Sequence, residues 1–565
     1  MAKNLKNWIS RLSPFAIVSV VSFIVYLCTC SRHLSWLHDG ADGGDFATCA
    51  WTLGIAHPTG YPLYILSGWL FTHLVPIGEV AFRLNIFSAL FAALGAGLIA
   101  LTLREASEFL FPDLDDNLRK KWVPVIAGFC VAFSLSYWTQ ALIVEVYAMN
   151  AFFLSLILCT ITRIINADDR GKRDKLFIQA ALFAGLGFTN HMSTIYPFVA
   201  GIVTLLYIGY IPSLRCFLKA FGLFVLALLL YLYLPIRSSM NPIMDWGDPE
   251  TWEGFVWVLT GKQFSRLVFS SLIAQIIFRI YSQINIIKQI GLLGMVTAFL
   301  GIAYLVSIRG QKRLAFFILI TSTALVNFIH IGNYLVIDPL SFMLPAFMMV
   351  AVFASVGCGF ILQYAIQITR KKGLQDEPEG RLALRSAKII AILVPFVMFG
   401  ANYVQADISG DTMGYDYAKR AFDNAIDGSI ICEVYYGRGL TIDYYYNCEG
   451  WGKDRGIRPL YIEHLAYTWG KKHFRELYPD LDLTVDDSVG GKDDIANDFI
   501  RSNYDKLPAI YFGRIFDPPE GYYWEQADDL YRIVRGEDPA KISNPQEEKE
   551  ILSDTVIKNE QNSRN

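Results

Sequence analysis

The sequence predicts an all-α polytopic membrane protein with a soluble α/β domain at its C-terminal end. Three observations predict it. Hydrophobic residues fill 53% of the 565 positions and charged residues only 18%, whereas soluble domains are about a quarter charged. The apolar residues fall in blocks approaching the roughly 20 residues that a membrane helix needs. Finally, Lys and Arg are concentrated in every second loop, as expected when cytoplasmic loops retain positive charge.

About eleven candidate spans follow from the block criterion. They lie near residues 13–31, 82–103, 122–141, 149–166, 176–189, 194–211, 218–236, 288–307, 314–331, 341–366 and 387–405. The segment at 62–78 is apolar but short, and reads as an interfacial or re-entrant helix. The N-terminal run lacks a small-x-small cleavage site and reads as an uncleaved first span.

Loop charges fix an orientation. With the N-terminus inside, the inner loops hold Lys3, Lys6 and Arg11, then Arg104, Arg119, Lys120 and Lys121. Arg163, Arg170, Lys172, Arg173 and Lys175 follow, and later Arg370, Lys371 and Lys372. The loops at 142–148, 190–193 and 332–340 contain neither Lys nor Arg. An odd number of spans then leaves the C-terminal region outside.

Three units are expected: a transmembrane domain over 1–405, an extracytoplasmic domain over 406–536 and a disordered tail over 537–565. In the second, SIICEVYYG, GLTIDYYYN and LPAIYFGR group β-formers between turn residues and read as strands. The tail is polar, with few residues able to build a core. Most of the nine Cys, including Cys28, Cys30, Cys130 and Cys159, lie in apolar runs. Cys432 and Cys448 lie in the polar region and are the expected pair if a disulfide forms.

Several chemistries lack their motifs. There is no GxxxxGK[ST], HExxH or GxSxG, no Cys/His spacing for a metal, and a net charge of −3 offers no bulk attraction to nucleic acid. The unusual polar residues instead collect in the expected outer loops. The first, HDGADGGDFATCAWTLGIAHPTGYP, places Asp39, Asp42 and Asp45 among glycines. A carboxylate there can serve as general base toward a hydroxyl; a solvated acidic loop is the other reading. His57 in HPTGYP can bind a phosphate or sugar hydroxyl, or simply belong to a rigid turn.

Glu145 stands in an apolar stretch, where a carboxylate usually faces a site or partner. Asn190 and His191 share a very short loop and read as a hydrogen-bonded structural pair. Arg237 ends a span at the outer interface, suited to a lipid phosphate through its planar fork or to ordinary snorkelling. Trp246, Trp252 and Trp257 can stack on a sugar or form an interfacial belt.

GGDF, LGIAHPTGYPLY, LFTHL, EVYAMN, GLGFTNH, LYLPIR and NPIMDWGDPETWEGF, in this order from about residue 40 to 265, together resemble the protein O-mannosyltransferase-like family. The resemblance implies a GT-C-type membrane glycosyltransferase. It would move a sugar, mannose by the family name, from a polyprenyl-phosphate donor to a hydroxyl, such as Ser or Thr of an exported protein, with inversion. Asp45 matches the family's GGD aspartate and is the expected base. Where the family often continues GGDSGE, this chain reads GGDFAT, without the Ser and Glu.

Donor contacts are expected from Arg237, His57 and Tyr61. Acceptor or supporting roles are expected from Asp42, Glu145, His191, Asn190, Trp246 and Asp248. No resident cofactor or metal is expected; the lipid-linked sugar is a co-substrate, and the membrane in a bacterium would be the inner one. Alternatives are transfer to a cell-envelope glycan, a transporter or flippase of polyprenyl-linked material, and a non-catalytic assembly protein.

Overall fold

A computed structural model describes residues 13–267, 272–307, 309–334, 338–375, 377–482 and 491–536. The expected tail at 537–565 lies outside the described residues.

The chain is mainly helical. Helices α1 (Pro14–Thr29), α2 (Gly43–Thr52), α3 (Pro62–Leu74), α4 (Val80–Leu110), α5 (Val123–Ala132), α6 (Leu135–Gln140), α7 (Tyr147–Asn166) and α8 (Arg170–Asn190) come first. They are followed by α9 (Ile195–Tyr207), α10 (Leu214–Leu228), α11 (Tyr233–Ser238), α12 (Trp252–Leu259), α13 (Leu272–Ser307), α14 (Gln311–Ile331), α15 (Pro339–Phe342), α16 (Leu344–Lys371) and α17 (Pro378–Ala406).

Each expected span falls on one of these helices or helix pairs. Among the described residues, seven helical stretches are long and apolar enough to cross a membrane, and Pro14–Thr29 and Met192–Tyr207 are shorter apolar helices. The span expected at 122–141 is two pieces, because the chain leaves helical geometry at Ser134 (ψ 141°) between α5 and α6. The span expected at 176–189 lies on α8, whose first turns carry Arg170, Lys172, Arg173 and Lys175. Leu218, Phe221 and Leu226 of α10 and Phe396 and Val404 of α17 are exposed. Apolar surface of this kind on the outside of a bundle belongs to lipid. The chain is thus a multi-pass membrane protein.

Past α17 the chain forms α18 (Met413–Asn424), β1 (Ile430–Glu433), α19 (Tyr436–Asn447), β2 (Arg458–Tyr461), α20 (Thr468–Leu477), α21 (Lys492–Asn503), β3 (Ile510–Phe512), β4 (Tyr522–Ala527) and β5 (Leu530–Arg535). The strands order as β2-β1-β3-β5-β4. β2, β1 and β3 run parallel, with Cys432 opposite Leu460 and Phe512, and β5 and β4 close the sheet antiparallel. The strands expected in SIICEVYYG and LPAIYFGR are β1 and β3.

GLTIDYYYN is not a strand but helix α19. Leu440, Ile442, Tyr444 and Tyr445 are buried there, in one cluster with Phe46, Ala47 and Ile431. Tertiary burial overrides the β-preference of these residues. That cluster seats the C-terminal domain on α2. At Gly44 an added Cβ would lie 2.3 Å from the carbonyl oxygen of Leu440, so this glycine permits helix–helix approach.

The nine cysteines are free thiols. Cys432 is fully buried on one face of the sheet, whereas Cys448 packs with the opposite cluster and points at the carbonyl of Ala47. The disulfide expected between them is therefore not formed.

Candidate active site

The GGD motif forms the first turn of α2, where a carboxylate is favoured by the helix dipole. The HPTGYP turn folds back over that helix. Asp45 is fully buried and both its oxygens are engaged. Oδ2 accepts the backbone N–H of His57 at 2.9 Å and the Nδ1–H of the same residue at 2.7 Å. Oδ1 accepts the indole N–H of Trp246 at 3.1 Å and the Cys49 thiol at 3.5 Å.

Backbone pairing brings Trp246 there: Ile55 N–H donates to the Met244 carbonyl at 2.7 Å, and Trp246 N–H to that of Ile55 at 3.3 Å. Trp246 is 4% exposed, so it is no belt residue, while Trp252 is exposed as a belt residue would be.

Of the two carboxylates beside His57, the accessible one is Asp42. Its side chain is 31% exposed, and its Oδ2 lies 3.7 Å from His57 Nε2. Tyr436, at the start of α19, hydrogen-bonds it. Burial would lower the His57 pKa, but the charges of Asp42 and Asp45 outweigh it and raise the imidazole above its ordinary value. The ring lies between two carboxylates, with its Nε2 3.3 Å from the Tyr61 hydroxyl. Enclosure, reinforced by Asp45, raises Asp42 above the usual carboxylate range despite the opposing pull of His57 and Tyr436.

A deeper acidic layer lies behind. Glu145 is 1% exposed, and its Oε1 has no hydrogen-bond partner among the described residues. Burial, then Asp42, Asp338 and Asp39, push it well above the carboxylate range. Tyr147 donates to Asp338 Oδ2 at 3.0 Å, and the His191 ring lies over Tyr61 at 6.0 Å between centroids. Burial, aided by the charge of His57, lowers His191 to about 3. Asn190 donates to the Val146 carbonyl and His191 pairs with Ser193, so the two support the loop through separate partners.

Arg237 is not brought to this group. Its Nε donates to the Leu53 carbonyl at 2.6 Å and its Nη2 to that of Thr52 at 3.1 Å. It caps the C-terminal end of α2, using the fork that phosphate recognition would need. Asp248 is also elsewhere: it accepts from Lys472 Nζ at 2.9 Å and ties its loop to the C-terminal domain.

Asp338, Tyr147 and Tyr436 join the site without having been expected there. For Asp338 the available signal was the lack of cations in the 332–340 loop, and for Tyr147 its place in EVYAMN. The cluster thus joins a part-exposed carboxylate, an imidazole fixed by a buried carboxylate, and a buried carboxyl with a raised pKa.

Residues 42–212 match the family model described as Protein O-mannosyl-transferase TMEM260 N-terminal domain. Protein O-mannosyl-transferase TMEM260 of Mus musculus is 30% identical over 222 residues, 38% of this chain and 30% of its own. Protein O-mannosyl-transferase tmem260 of Dictyostelium discoideum is 21% identical over 574 residues, 93% of this chain and 66% of its own. The chain thus spans about a third of the mouse relative and about two thirds of the other.

Among solved structures, ArnT from Cupriavidus metallidurans in the apo state superposes with TM-score 0.54 at 12% identity, over 94% of this chain and 98% of ArnT. ArnT bound to undecaprenyl phosphate gives 0.51 at 12% identity, over 96% and 99%. The segment that supplies Asp42, Asp45, His57, Tyr61, Glu145 and His191 therefore lies within the stretch that matches the protein O-mannosyl-transferase TMEM260 N-terminal domain, on a chain that shares the fold of ArnT.

Proposed function

We propose that this chain is an inverting membrane glycosyltransferase. It moves a sugar, mannose on the family likeness, from a polyprenyl-phosphate donor to a hydroxyl, a Ser or Thr of an exported protein. One observation carries the reading: within the family-matched segment, an accessible carboxylate stands beside an imidazole that a buried carboxylate holds in place. The solved ArnT complex with undecaprenyl phosphate supports a polyprenyl-phosphate carrier.

The base expected at Asp45 passes to Asp42. Asp45 is enclosed and fully hydrogen-bonded, which suits holding His57 rather than meeting an acceptor. Asp42 takes the proton of the acceptor hydroxyl as its oxygen attacks the anomeric carbon. The bond from that carbon to the phosphate oxygen breaks, and the electron pair leaves on the polyprenyl phosphate. His57, whose pKa its two carboxylates raise, meets the phosphate, and the buried carboxyl of Glu145 hydrogen-bonds the sugar. The products are the inverted glycoside and polyprenyl phosphate. Fixed charges of this kind stabilise a transition state without reorganisation. A base with a raised pKa sits nearer the working pH.

The loop-charge alternation supports a cytoplasmic N-terminus with the C-terminal domain outside, at the inner membrane in a bacterium. The test uses the full chain in nanodiscs with a short-chain polyprenyl-phosphate mannose and a Ser/Thr peptide. The peptide gains one hexose, and its Ala-substituted counterpart gains none. Equal labelling of both peptides, or of neither, overturns the reading.

A further inference from the structure

The parallel part of the C-terminal sheet has a switch point. From β1 the chain turns through α19 to β2 on one side, and from β2 it crosses back through α20 and α21 to β3 on the other. The crossovers lie on opposite faces. Residues of α19 pack with Ile431 and Tyr511, whereas Phe474 of α20 and Phe499 of α21 pack with Cys432 and Phe512. The carboxyl ends of β1 and β3 therefore open a crevice of the kind in which open α/β sheets bind ligands. Helix α19 begins there and also meets the reaction site. Its Tyr436 hydroxyl lies 3.4 Å from His57 Nδ1, and a Cβ added at Gly437 would lie 3.4 Å from that of Ala41.

The crevice is cationic. Arg438 of α19 spans it, donating from Nη1 to the Gly513 carbonyl, just past β3, at 2.9 Å. Among the described residues this is its one hydrogen bond and no carboxylate pairs with it, so its Nε and Nη2 hydrogens remain for a ligand. Arg514 follows, its side chain 21% exposed and paired with Asp493. Both guanidiniums lie against Tyr435, at 5.5 and 5.4 Å from the ring centroid, and that tyrosine is 50% exposed. The other charged groups do not cancel Arg438. Lys492 and Glu463 pair with each other. Glu433, at the end of β1, accepts from the Tyr417 hydroxyl, and burial raises it to about 8 against the pull of Arg438 and Arg514. It therefore carries little charge at pH 7. The start of α19, which has no side-chain cap, adds its partial positive charge.

A guanidinium with open N–H groups takes a carboxylate in its planar fork. The partners of Arg438, namely Gly513 and the rings of Tyr417 and Tyr435, all belong to the C-terminal domain, so a ligand meets it from the water side rather than from lipid. In the proposed reaction the donor phosphate faces His57, and the acceptor is the substrate that arrives from water. An extended peptide advances about 3.4 Å per residue, so a side chain two to four residues from the reacting hydroxyl lies roughly 7–14 Å from it. That is enough to pass the Tyr436 side chain, which bonds Asp42, and reach Arg438. We propose that this crevice is a specificity subsite for an acidic side chain of the acceptor, held by Arg438 with Arg514 beside it, an assignment that rests on the protein acceptor proposed above.

The test is fluorescence anisotropy with labelled peptides, read on the full chain in nanodiscs without donor. Ser/Thr peptides carrying Glu, Gln or Lys at the positions two to four residues from the hydroxyl are compared. Wild type should bind the Glu peptide about fivefold or more tighter than the Gln peptide, as a charge-assisted hydrogen bond at a part-exposed group allows. The preference should shrink with added salt. Arg438→Gln should erase it while the Gln peptide keeps its affinity within about twofold, which also reports a folded site. Arg438→Glu should turn the preference to the Lys peptide. Arg514→Gln, which leaves the Gly513 contact of Arg438 in place, should lower the preference about twofold and carries the test if the Arg438 variants do not fold. No peptide binding to wild type, equal affinity for the Glu and Gln peptides, or a preference unchanged in the Arg438 and Arg514 variants overturns the subsite. A short-chain polyprenyl phosphate that loses affinity in Arg438→Gln, while the peptides do not, places the lipid phosphate in the crevice and also overturns it. A Glu-peptide preference without hexose transfer leaves the subsite standing and overturns the proposed reaction; hexose transfer with no charge preference overturns the subsite alone.

Discussion

Asp42→Asn separates proton abstraction from everything else the acidic cluster does. The substitution keeps the size of the side chain and its contact with Tyr436 but removes the proton acceptor. Loss of a general base lowers the chemical step by about 10²–10⁴-fold, which is about 2.7–5.5 kcal/mol at 1.36 kcal/mol per decade. Stability should move little or rise. Folding already raises the Asp42 pKa, so the ionised carboxylate is disfavoured in the native state and a neutral amide relieves that cost. Asp45→Asn behaves differently. Its amide oxygen can keep His57, but its NH2 then faces the Trp246 indole N–H. That leaves a buried donor unpaired, at about 1–3 kcal/mol of stability. The assay is kcat for hexose transfer to a Ser/Thr peptide, with thermal unfolding in parallel. Asp42→Asn should be folded and nearly inactive, and Asp45→Asn destabilised with residual turnover. Near-wild-type turnover in Asp42→Asn, with a stable but dead Asp45→Asn, refutes the reasoning and returns the base to Asp45.

Arg237→Ala should lower stability by about 1–3 kcal/mol through the uncapped carbonyls of Thr52 and Leu53, with donor KM within about threefold; a large rise in donor KM at unchanged stability would instead assign it to the phosphate. Gly44→Ala pushes a Cβ into the backbone of α19 and should loosen the C-terminal domain, read as faster proteolysis between 406 and 440; wild-type protease resistance argues against the seat on α2. Glu433, 1% exposed, is raised to about 8 by burial, against the pull of Arg438 and Arg514. A carboxyl with a raised folded pKa stabilises the protein below its unfolded pKa, and that contribution is lost as pH rises toward 8. Glu433→Gln should therefore raise the unfolding temperature at pH 8 and change it little at pH 5, measured by calorimetry; the reverse order would contradict the burial argument.

How much of this was legible in the sequence depends on range. The spans were visible because apolar blocks are local, and the break at Ser134 was missed because a single polar residue inside such a block carries no strong signal. Residues 439–447 read as a strand because Ile442, Tyr444 and Tyr445 favour one. Their helix is decided by packing against α2, some 400 positions earlier. The motif marked Asp45, but its burial and four donors are tertiary facts, as are the carbonyls that engage Arg237. Tyr436 meets His57 across a separation of 379 residues, and Asp338 reaches the site from another loop. No local pattern announces either.

Stereochemistry tests the central claim most directly. Wild-type chain, a polyprenyl-phosphate mannose of known anomeric configuration and a Ser/Thr peptide are incubated together, and the purified glycopeptide is examined by NMR. A single attack by the acceptor, with Asp42 as base, yields a mannosyl hydroxyl-amino acid of the opposite anomeric configuration and one released polyprenyl phosphate per transfer. A product that retains the donor configuration, or release of polyprenyl phosphate with no sugar on the peptide, contradicts it.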